Sequence, residues 1–152
     1  GICLGHQLLA VSMGGKAIDT GRYEVGLFEI EPTEEGLNHP LLQNLKDSEK
    51  WVNAHLVEVI EAPKNAIILA TSEHCQNHVM QLGENAYSCQ FHPEVCSHTL
   101  DGWMKIPGVP DFFDELSANG LDDLTSSITE NLDVNNRASS VLFENWCNLV
   151  FN

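Results

Sequence analysis

The sequence is poor in basic residues, has no long apolar run and shows no regular cysteine spacing. Only 7 Lys and Arg stand against 22 Asp and Glu, for a formal net charge of −15. Phosphate neutralisation needs clustered cations, so this balance argues against nucleic acid and anionic membrane surfaces as partners. No stretch approaches the roughly 18 consecutive apolar residues of a membrane span, and no basic segment leads into an apolar run at the N-terminus. The five cysteines, Cys3, Cys75, Cys89, Cys96 and Cys147, are odd in number and scattered, which argues against a secreted disulfide framework and for a reducing, cytoplasmic setting. An initiator Met, internal repeats and low-complexity linkers are also missing. Because the chain starts at Gly1 with its most informative motif in the first seven residues, it reads as a fragment.

With 152 residues and 43% hydrophobic content, the chain has material for one ordinary domain. The pattern divides it into a core over residues 1–96 and helices over 97–152. Gly1 to Gln7 reads as a tight turn opening a short buried helix through Leu8-Leu9-Ala10-Val11, stopped at Gly14-Gly15. From Lys16 to Glu31 short strands are expected around Ala17-Ile18 and Gly26 to Ile30, broken by Asp19-Thr20-Gly21 and by Pro32 to Gly36. A helical turn or two follows around His39 to Leu45, then extended chain at Lys50 to His55. Ala66 to Thr71, His78 to Leu82 and Ala86 to Phe91 are strand candidates, separated by turn-rich segments. Beyond Pro93 the pattern is helical: Ser97 to Lys105, a Pro-Gly-Val-Pro break, Asp111 to Asn119, Leu121 to Asn131, and a last helix capped by Asn135 or Asn136. On that helix Ala138, Val141, Leu142, Trp146, Leu149 and Val150 share one face.

Two short segments carry chemistry. Gly1-x-Cys3-x-Gly5 has the form of a nucleophile elbow, in which a strand turns sharply into a helix and holds the nucleophile in a strained conformation. Glycine on either side would let the two backbones approach. The helix N-terminus favours thiolate over thiol at Cys3, and the Leu4 N–H is the expected first oxyanion donor. Taken alone, G-x-C-x-G is a loose pattern that also fits a small buried cysteine.

A cysteine nucleophile needs a base, and the base an orienting acceptor. Gln90-Phe91-His92-Pro93-Glu94 supplies both. Pro93 biases His92 toward extended geometry, so His92 and Glu94 project to the same side and one imidazole nitrogen can meet the carboxylate while the other faces a thiol. In isolation H-P-E would be a solvated turn; the conjunction with the elbow outweighs that reading.

G-I-C-L-G-H-Q and Q-F-H-P-E resemble the two signature blocks of class I, triad-type glutamine amidotransferases, in order and separation, and the resemblance extends to standalone members like those of GMP synthetases. It implies a flavodoxin-like α/β fold with a helical C-terminal segment. It also implies hydrolysis of the L-glutamine side-chain amide through a γ-glutamyl thioester, without a cofactor, with ammonia passed to a synthetase partner on another chain. In this likeness Cys3 attacks, His92 shuttles protons, Glu94 orients His92, Leu4 contributes to the oxyanion hole, Gln7 helps to hold the substrate and His55 lies near it. Such proteins normally carry several βα units ahead of the elbow. Without them the 152 residues are expected to bury an incomplete core and to be poorly active alone.

Two other functions fit the same residues: a thiol hydrolase of γ-glutamyl peptides or conjugates, and an inactive fragment or interaction domain. His74-Cys75-x-x-His78 has a spacing seen in metal sites, but no fourth ligand lies nearby in sequence, so it reads as a polar loop and no metal is expected. Cys89 and Cys147 read as core residues.

Overall fold

A computed structural model describes residues 1–46, 49–117 and 120–151. Helix α1 (Leu4–Ser12) leads into β1 (Lys16–Pro32), a four-residue helix α2 (Glu34–Leu37) and a single 3-10 turn at Pro40–Leu42. Then follow β2 (Glu49–Glu61), β3 (Ala66–Thr71), β4 (Val79–Leu82) and β5 (Ala86–Cys89). Three helices end the chain: α3 (Ser97–Trp103), α4 (Val109–Leu116) and α5 (Leu121–Phe151).

The five strands form one sheet in the order β2-β1-β3-β4-β5, each pair antiparallel. On the far side of β5 the chain start joins the sheet: Ile2 bridges Cys89 in parallel. The layers follow from the two-residue alternation of strand side chains. On β4, Val79 packs with Ile30, Leu69, Phe91 and Ala138 of α5, whereas Met80 and Leu82 pack with Ala10 of α1. Helix α5 therefore covers one face and α1 the other. A second cluster, Val25, Val52, Val95, Leu100, Phe113, Leu124, Ile128 and Leu132, joins α3 and α4 to the body. The outer side of α1 leaves Leu4, Leu8 and Val11 exposed.

Several boundaries differ from the sequence-based expectation. Lys16 to Pro32 is one strand, because the Asp19-Thr20-Gly21 punctuation is absorbed as a shift in register against β2 between Asp19 and Glu24. There Gly21 sits at φ 71° and donates its N–H to the Asp19 carboxylate. The Pro-Gly-Val-Pro break is shorter than expected: Gly108 caps α4 at φ 84°, and Pro110 lies in its first turn, where a missing N–H costs nothing. The Asn119 end of that helix falls outside the described residues. The two expected C-terminal helices are one helix of 31 residues. Asn135 is not a cap; it is buried mid-helix with its side-chain amide donating to the Lys50 carbonyl.

Candidate active site

Cys3 sits between the Ile2 bridge and the first residue of α1, at φ 48° and ψ −104°. A side chain at positive φ is sterically disfavoured, and it persists where surroundings over-determine it. Here the Cys3 N–H donates to the Cys89 carbonyl at 2.9 Å and the Cys89 N–H to the Gly1 carbonyl at 2.9 Å. The expected steric need for glycine holds at Gly1, where an added Cβ would lie 2.6 Å from the Gly5 carbonyl oxygen. It does not hold at Gly5, whose Cβ position is open. Leu4 opens α1, so its N–H belongs to the first turn, which has no carbonyl partner within the helix.

The partner segment leaves β5 beside this turn. The His92 N–H donates to the Val52 carbonyl at 2.8 Å, and Trp103 meets the His92 ring edge-on with centroids 5.3 Å apart. His92 Nδ1 lies 2.7 Å from Glu94 Oε1. With Nδ1 so engaged, Nε2 is the ring nitrogen left to face Cys3. Burial alone would lower the His92 imidazolium, but Cys3 and Glu94 beside it outweigh that and raise the ring to about 9. Burial pulls Glu94 upward in turn, and its bond to His92 carries it below its ordinary value.

Sequence reasoning alone does not single out Gln90. It is fully buried, and its side-chain amide nitrogen lies 3.5 Å from Cys3 Sγ. A signal exists: Gln90, His92 and Glu94 are spaced by two. Gln7, one turn after Cys3, places its amide nitrogen 2.7 Å from the Val57 carbonyl and 3.1 Å from Gln90 Oε1. Its neighbour His6 is sealed in, with Nδ1 2.9 Å from Ser88 Oγ, and burial and then His78 lower it to about 3. Cys89 is core, its thiol pushed up to about 12 by burial, while Cys147 is only half-buried.

His55 is 4% exposed and turns to Glu24, with Nε2 3.1 Å from Oε2. His78 Nε2 reaches the same oxygen at 2.9 Å, and the Ser72 hydroxyl donates to Glu24 Oε1. Burial raises the Glu24 carboxyl, and the bonds from His55 and His78 more than reverse this, leaving it well below the carboxylate range. Glu24, His55 and His78 are also close enough to hold a metal ion. Their hydrogen bonds already satisfy the carboxylate three times over. The expected polar loop around His74 to His78 is thus partly core, with Cys75 and His78 buried. Only folding brings Glu24 and His55 to it.

Residues 1–104 match the family described as Glutamine amidotransferase class-I. The chain belongs to that family. Among curated relatives, a glutamine-hydrolysing GMP synthase subunit from Sulfolobus acidocaldarius is 39% identical over 103 residues, covering 67% of this chain and 53% of that protein. The protein of the same name from Pyrococcus abyssi is 42% identical over the same shares. The chain therefore spans about half the length of these relatives. Among solved structures, a glutamine amidotransferase from Thermotoga maritima superposes with a TM-score of 0.78 at 25% identity, over 96% of this chain and 60% of the other. One from Methylobacillus flagellatus gives 0.76 at 25% identity, over 98% and 62%. The expected class I amidotransferase fold, an α/β body with a helical C-terminal segment, is what this family member adopts.

Proposed function

We propose that this amidotransferase domain hydrolyses the side-chain amide of L-glutamine at Cys3 and supplies ammonia to a synthetase partner on another chain. The observation that carries the reading is the pairing of Cys3, on its strained turn, with a His92 ring whose other nitrogen is held by Glu94. Cys3 Sγ attacks the amide carbon with the proton it shares with His92 held on Nε2. The C–N bond then breaks, His92 protonates the departing nitrogen, and ammonia leaves a γ-glutamyl thioester. Water, deprotonated by His92, attacks the thioester; the C–S bond breaks and glutamate is released. Both tetrahedral oxyanions face the Leu4 N–H at the start of α1. Glu94 holds the His92 tautomer throughout. Nothing in these steps calls for a metal or an organic cofactor. The name of the relatives, as one subunit of a glutamine-hydrolysing GMP synthase, supports a synthetase as the ammonia acceptor. His55, sealed against Glu24, belongs to this scheme as support for the strands rather than as a group touching substrate.

The test is glutamate and ammonia release from L-glutamine beside a panel of γ-glutamyl dipeptides, with labelling by diazo-oxo-norleucine. Glutamine turnover, an adduct on Cys3, and at least a roughly 10³-fold loss in Cys3→Ala, on the order seen for nucleophile removal, are expected. Faster turnover of the dipeptides would replace this reading by a γ-glutamyl thiol hydrolase. No turnover and no adduct would leave an inactive interaction domain.

A further inference from the structure

We infer that Gln90 is a second group acting on the nucleophile: its side-chain amide donates to Cys3 Sγ and stabilises negative charge that gathers on the sulfur, and Gln7 fixes the orientation that makes this possible. The orientation follows by elimination. The Val57 carbonyl can only accept, so the Gln7 atom 2.7 Å from it must be the amide nitrogen. That same nitrogen lies 3.1 Å from the end of the Gln90 side chain, which must therefore present its oxygen. Gln90 is left with its NH2 turned to the sulfur at 3.5 Å. An amide that could flip would offer the sulfur a donor or an acceptor; this one is locked as a donor.

The surroundings make the contact consequential. Gln90 is fully buried, and its own N–H donates to the His78 carbonyl at 2.8 Å, so its backbone does not drift. Sulfur is anionic before attack and again as the thioester C–S bond breaks, and a donor aimed at it favours both moments over the bonded acyl state. The Leu4 N–H serves the substrate oxygen; Gln90 serves the sulfur. Gln7 is accordingly a positioning residue. Both N–H groups of its amide are committed within the protein.

The catalytic meaning of this contact rests on the glutaminase reading, but its test does not. The rate of Cys3 alkylation by iodoacetamide, followed by peptide mass mapping across pH in the intact protein, reads thiolate without any turnover. Gln90→Glu keeps an oxygen for Gln7 and removes the donor facing sulfur. Its alkylation is expected to slow about tenfold at neutral pH, with the rate profile displaced to higher pH, as for loss of a hydrogen bond to a charged group. Gln90→Leu, with a native circular dichroism spectrum, should shift the profile in the same direction. Gln7→Met should slow alkylation by a smaller factor. A Gln90→Glu protein that melts and alkylates like the wild type would overturn the proposal. A Gln7→Met protein with raised KM and unchanged alkylation would return Gln7 to the substrate and overturn the positioning role. If alkylation responds as expected while the wild type releases no glutamate, the functional reading fails and the sulfur contact stands.

Discussion

Among the described residues only Cys3 and Asn44 carry a side chain at positive φ. At Cys3 the strain is sustained by the paired bonds with Cys89 and by the close approach of Gly1 to Gly5, and it turns the thiol out toward His92. The His92 proton is held chiefly by Cys3 and Glu94, against burial. Replacing Glu94 by Gln should therefore lower the His92 ring from about 9 toward its ordinary value. Glutamine turnover should fall about 10- to 100-fold in kcat with little change in KM. Steady-state kinetics with the histidine followed by NMR titration would check both, and an unmoved ring would show that Glu94 does not set it. The turn at Cys3 and the contact of His92 with Glu94 are legible in the sequence because each motif is local: the turn glycine, the proline and the two-residue spacing all act within five positions. Gln90 is not, because its orientation depends on Gln7, 83 positions away, which no local pattern encodes. The meeting of Glu24, His55 and His78 is similarly hidden, since distant parts of the chain converge to make it.

At the scale of elements, the short helix α2 is pressed onto β3. Thr33 accepts the Gly36 N–H and donates to the Ile68 carbonyl at 2.7 Å, and a Cβ on Gly36 would overlap the Leu69 carbonyl oxygen. Gly36→Ala is expected to cost about 1–3 kcal/mol in urea unfolding, the usual penalty of overpacking. Gly102→Ala, inside α3 with open space at its Cβ, should instead stabilise by about 0.5–1 kcal/mol. Equal effects would show that close approach is not what selects glycine at Gly36. The strands β3 to β5 are readable from β-branched and apolar runs bounded by turns. The unbroken length of β1 and of α5 is not. Asp19-Thr20-Gly21 has turn chemistry, yet long pairing with β2 on both sides carries the strand through it. Asn135 has cap chemistry, yet its amide finds the Lys50 carbonyl across the interior, and that bond offsets its poor helix propensity.

For the whole molecule, buried histidines and the site histidine respond to pH in opposite senses. His6 and His78 are neutral in the fold, with burial as the main cause, while the unfolded chain would take up their protons below about 6.5. Their contribution to stability is therefore lost as pH falls below that value. His92 is raised, so its contribution is complete below 6.5 and is lost as pH rises toward 9. The melting temperature should peak near about pH 6.5 and decline on both sides, as read by calorimetry between about pH 5 and 9. His6→Asn should flatten the acid limb and His92→Asn the alkaline one, and a profile unchanged in both would contradict these assignments. The same connectivity that buries these rings also determines what holds the site together. Cys3 and His92 are far apart along the chain, yet the bonds between Gly1, Cys3 and Cys89 staple their segments side by side. Peptide continuity between Cys3 and His92 is thus a matter of synthesis rather than of geometry, and a cut in the exposed turn at Gly83-Glu84-Asn85 should leave the two segments clasped.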